Sequence, residues 1–174
     1  MEPDITCLHF ADPRDFYRRI SLNAELSKEL DVRISGFPMK YTPINETTRR
    51  YISPGWKWRY LRGVQCILLA THGLVSPHLE FVQGAFGSSE GEFLEILSMP
   101  DRYIIHRKKY EENGATAEWR KLFHRLSAGS RDDFLDALAV INRSRQKEAV
   151  IADYKKFARL LEHYYPGGKP TPCM

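Results

Sequence analysis

The stretch that most constrains this chain runs from Val32 to Ile44, V-R-I-S-G-F-P-M-K-Y-T-P-I. From Val32 to Phe37 apolar and polar residues alternate, the two-residue period of a strand with one buried face. Gly36-Phe37-Pro38 ends that pattern, because proline has no amide hydrogen to give to a ladder, and Pro43 repeats the stop. A short buried strand that ends in proline and releases Met39, Lys40 and Tyr41 predicts the mouth of an α/β sheet. Ligands bind outside the carboxyl ends of such strands.

The residues before it suit that role. Ile5 to Phe10 reads as a strand, Asp12 as an N-cap and Pro13 as the first residue of a helix reaching about Leu30. At about 100° per residue, Phe16, Ile20, Leu22, Leu26 and Leu30 are expected to form one apolar stripe. Asn23 lies within it, either satisfied by backbone or turned towards a ligand. Strand, helix and strand predict a βαβ unit with parallel strands. Two parallel strands leave two open edges, so either later helices cover them or something outside this chain completes the sheet.

Composition bounds what can follow. With 174 residues, 43% apolar and 28% charged, one domain with a small helical extension is expected, with enough apolar surface for a core. A net charge of +4 permits an anionic partner without requiring one. The sequence lacks an eighteen-residue apolar run, and M-E-P-D-I-T does not read as a secretory leader, so a cytoplasmic protein with no membrane partner is expected. Cys7, Cys66 and Cys173 are too scattered for a disulfide framework or a metal knuckle.

Beyond Ile44, residues 45–52 read as a polar loop. Helix starts are then expected at Ser53-Pro54, Ser76-Pro77, Ser89 with Glu92, Pro100-Asp101, Thr116, and Ser130 with Asp133, before a last helix holding Val150 to Leu161. The tail from Pro166 is expected to be loose.

The early segments H-F-A-D-P-R-D-F-Y-R-R-I-S-L-N-A-E-L and R-I-S-G-F-P-M-K-Y-T-P-I resemble the final strand–helix–strand of a radical S-adenosylmethionine (SAM) enzyme barrel. The continuation W-R-Y-L-R-G-V-Q-C-I-L-L-A-T-H-G is similar to a helical extension of that superfamily. The resemblance implies a carboxyl-terminal portion of such a protein. Phe37, Met39 and Tyr41 would then sit by the adenine, with His9 and Asp12 at the barrel mouth. It implies SAM and a four-iron, four-sulfur cluster in a full-length protein. The CxxxCxxC loop that holds the cluster is missing from this chain. The expectation is therefore a fragment or subunit without SAM cleavage of its own, completed by an upstream radical SAM half or by a second copy covering the open sheet edges.

A second site lies in Arg49, Arg50, Tyr51, Trp56, Lys57, Trp58, Arg59, Tyr60 and Arg62. Interleaved rings and cations suit single-stranded RNA, with stacking from the rings and phosphate neutralisation from the arginines. Helical spacing also allows Trp56 or Trp58 to be core residues. No serine elbow, phosphate loop or HExxH motif is present. The sequence thus predicts an α/β fold turning mostly α: a βαβ unit over 1–45, a helical extension over 46–165 and a tail over 166–174. Its function is expected to be that of a radical SAM fragment, or of a helical module binding RNA or a protein partner through residues 49–62.

Overall fold

The structure, a computed structural model, describes residues 4–8, 12–38, 51–73 and 75–166. It divides into two compact units, Met1–Ser98 and Met99–Met174.

The first unit is built on helix α1 (Pro13–Glu29). Its start matches the expectation. The Asp12 carboxylate accepts from the amides of Arg14 and Asp15 at 2.8 and 2.9 Å, satisfying two donors that the first turn leaves open. Asp31, with φ of +51°, turns the chain back after the helix, a left-handed conformation that aspartate tolerates. The unit continues through α2 (Trp58–Ala70), α3 (Leu79–Phe86) and α4 (Glu90–Ser98). Phe16 of α1 stands among Trp56, Phe86 and Phe93, with ring centroids 5.6 to 6.4 Å away. Tyr17 donates its hydroxyl to the Gly87 carbonyl at 2.9 Å, pinning α1 to the end of α3. Gly63 lets α2 meet α4 backbone to backbone: a Cβ there would lie 2.7 Å from Leu97 Cα and O.

The fold class expected from the sequence is corrected here. This is a helical fold: ten α-helices and one 3-10 turn hold most of the described residues, and no layered sheet organises them. The extended pairing among the described residues is a parallel ribbon of two five-residue segments, Asp4–Leu8 beside Ile34–Pro38, which joins no further strand. Two such segments cannot form a barrel wall or enclose a mouth, so the partial barrel falls as well. The physical reason lies in α1. Its deeply buried face, Phe16, Tyr17, Ile20 and Ala24, includes rings packed on aromatic side chains from other helices and the Trp56 loop. The expected leucine stripe is also split. Phe16 and Ile20 face inward, whereas Leu22 and Leu30 are 52% and 58% exposed.

The second unit holds α5 (Asp101–Ile105), α6 (Arg107–Glu112), α7 (Ala115–His124), α8 (Ala128–Arg143), α9 (Lys147–Asp153), a 3-10 turn (Lys155–Phe157) and α10 (Ala158–Tyr164). Its core stacks Trp119 on Phe123, with Phe157 and Tyr164 set edge-on to Phe134. Several starts differ from the sequence reading. α2 begins at Trp58, because Ser53 accepts the Trp56 amide in a separate turn. α8 is capped by Ser127, whose hydroxyl accepts the Ser130 amide at 3.2 Å, and not by Ser130. Ser89 does cap α4, accepting the Glu92 amide, while the Glu92 carboxylate reaches back to the Ser88 amide.

Candidate functional site

The basic–aromatic segment is only partly turned to solvent. Trp56 is buried against Phe16, and Arg59 is 2% exposed, its Nε donating to the Leu97 carbonyl at 3.1 Å. Lys57, Trp58, Tyr60 and Arg62 are half-buried, as is Tyr51. Arg59 therefore closes the α2–α4 contact, with its stem in the core and its head on a backbone acceptor. The signal was present in the sequence: Arg59, Gly63 and Ile67 fall four residues apart on one helix row, and all three are buried. Arg49 and Arg50 lie outside the described residues.

Most of the residues assigned to a nucleotide cofactor fall outside the described ones. His9, Met39 and Tyr41 lie outside the described residues, and of Phe37 only the backbone is described, in the ribbon opposite Cys7. Asp12 is engaged as the α1 cap. The described residues do not fit an iron–sulfur cluster. Cys66 is fully buried on α2, and no three His, Cys, Asp or Glu side chains among them gather as metal ligands. No helix among the described residues is long and apolar enough to cross a membrane.

Two other places concentrate polar chemistry. The first is an open cleft of about 700 Å³ in the first unit, between the end of α1 and the start of α3. Lys28, Arg33 and His78 line it together with Asp31 and Glu80, over Ser27, Val32, Pro77 and Leu79. Ser27 fixes one wall: its hydroxyl donates to the Asn23 carbonyl at 2.7 Å and accepts the Ile34 amide at 3.1 Å. His78 fixes the other, holding the N-cap of α3 without a side-chain hydrogen bond to that helix. The sequence reading missed this cleft, because its walls lie some fifty residues apart.

The second is a buried polar group in the second unit. The Tyr103 hydroxyl and His163 Nδ1 share a hydrogen bond at 2.7 Å. Arg102 donates to the His163 carbonyl at 2.9 Å, and its guanidinium carbon lies 5.5 and 5.7 Å from the centres of the stacked Tyr103 and Tyr110 rings. Burial pushes the His163 pKa below its usual value and the Tyr103 pKa above its own. Arg102 Nε and the Thr116 hydroxyl are buried without a hydrogen-bond partner among the described residues. This group ties α5 to α10.

No family model, curated protein or solved structure matches the chain. The likeness to radical SAM barrels thus has no support from relatives, and among the described residues the two paired segments join no further strand.

Proposed function

We propose that this chain is a helical binding module whose partner is another protein, held in the cleft between α1 and α3. The observation that carries the reading is the cleft's mixed lining. Lys28, Arg33 and His78 share it with Asp31 and Glu80, around the apolar surface of Val32 and Leu79. A nucleic-acid backbone would set its phosphates against two carboxylates. A peptide carries acids, bases and apolar groups together and can match both signs. The burial of Trp56 and Arg59 supports the same choice, since a stacking platform with free guanidinium groups is what RNA binding needs. The cleft's volume lies within the usual range for binding pockets, roughly 300–1,000 Å³.

The test is selection of peptides from a displayed random library against the whole chain, followed by titration of the winners against Lys28→Glu/Arg33→Glu. Both positions are exposed, so the variant keeps the core. Affinity should fall by roughly tenfold or more, as expected when a buried charge contact is reversed. Selected peptides that bind the variant equally well would remove the reading. So would tight, salt-sensitive binding of a labelled single-stranded oligonucleotide that the substitutions abolish.

A further inference from the structure

Helix α1 carries a second apolar row, exposed at Leu22 and Leu30. Leu22, Leu26 and Leu30 recur every fourth residue, a ridge spanning about 12 Å along the helix. Leu22 and Leu30 are 52% and 58% exposed and Leu26 is half-buried. The helical period sets this ridge well over 90° from the buried Phe16–Ile20–Ala24 row, and on the other side of the helix from Lys28 in the cleft wall. Isolated surface leucines need no explanation, but three in one row form a seam that favours a partner helix.

The charges beside the ridge indicate which partner. Arg18 and Arg19 stand at its amino end, Glu25 and Glu29 at its carboxyl end. Arg18 bonds Glu90, and Arg19 bonds Asp15 at 3.0 Å. Their side chains nevertheless remain 68% and 51% exposed, so both still present positive charge outward. A helix with the same ridge and the opposite order of charge would complement it. That helix is α1 itself, run antiparallel. With a two-fold axis level with Ala24, Leu22 of one copy meets Leu26 of the other, and Leu30 lies beside the stem of its mate's Arg18. The arginine end of each then lies beside the glutamate end of its mate. An interface of this kind is isologous and closes on itself as a dimer.

We infer that two copies of this chain associate through the Leu22–Leu26–Leu30 ridge of α1, paired antiparallel. The contact is small, so the equilibrium is concentration-dependent and weak. It uses a different face from the cleft and does not depend on the peptide-binding reading.

Sedimentation equilibrium of the full chain tests it. Monomer and dimer should interconvert with concentration, and Leu22→Lys/Leu30→Lys should shift the chain to monomer with its circular dichroism unchanged. Two charge variants give the sharper test. Arg18→Glu/Arg19→Glu makes the flanks acidic, and Glu25→Lys/Glu29→Lys makes them basic. Each alone should associate roughly tenfold more weakly than the unaltered chain. Mixed in equal amounts, they should form a heterodimer. A chain that stays monomeric at every concentration overturns the inference. So does a dimer that survives the lysine substitutions, or a pair of charge variants that ignore each other when mixed.

Discussion

Gly63 and Arg59 hold the α2–α4 crossing together, one by what it lacks and the other by what it reaches. Gly63→Ala would force a methyl group to within 2.7 Å of Leu97 backbone atoms. Overpacking of that kind costs about 1–3 kcal/mol, and urea denaturation should show a loss of that size. Arg59→Met keeps the apolar stem but removes the donor to the Leu97 carbonyl. It should cost about 1–3 kcal/mol by the same measurement, because the acceptor is left in the interior. At this scale the sequence was readable for Asp12, whose position before proline announced a cap. It misled for Arg59, where composition suggested an open cationic surface, whereas the core position it allowed for Trp56 agrees with the burial found. A ring or a guanidinium looks the same in sequence whether solvent or a neighbouring helix receives it.

Among elements, α1 was the most legible, because cap, proline and apolar period agreed on one helix over Pro13–Glu29. Asp12→Ala should lower stability by about 1 kcal/mol in thermal or urea melts. Which apolar residues on α1 would be buried was not legible. Leu22 and Leu30 look as core-like as Phe16, and only the packing of α3 and α4 decides among them. The second unit's helices were harder still. The segment expected to open at Pro100-Asp101 breaks at His106, and the last run breaks at Tyr154, with no proline or glycine at either place.

The tie between α5 and α10 has a pH signature. Burial holds the folded His163 neutral below the pH at which the unfolded chain takes up its proton, near 6.5. Its contribution is therefore complete above about pH 6.5. It is lost progressively as pH falls below that value, until the folded group protonates too. Urea midpoints roughly one unit above and one unit below pH 6.5 should differ less for His163→Gln than for the unaltered chain. Equal pH sensitivity in both would show that other groups carry the effect.

For the whole molecule, two contact-dense bodies predict that a defect placed in one is felt chiefly there. Hydrogen exchange of Gly63→Ala should accelerate in residues 58–98 and leave residues 115–164 close to unchanged. The division between the units was not marked in the sequence: Ser98-Met99-Pro100 is no run of glycine and serine of the kind that announces a linker. The larger misreading had one physical source. Alternation around Val32 and an Asp-Pro helix start are local signals, and a sheet is a non-local object. Two short extended segments signal equally well whether many strands or none stand beside them. Here the apolar surface of α1 that might have covered a sheet is spent on Trp56, Phe86 and Phe93.

Cys66, sealed on the inner face of α2, offers a use of its own. A shielded thiol is inert to alkylating reagents until its surroundings part. With Cys7 and Cys173 changed to serine, the pace at which reagent mass accumulates on the remaining sulfur becomes a stopwatch for spontaneous opening of the first unit. It can be read in dilute buffer, without denaturant or dye.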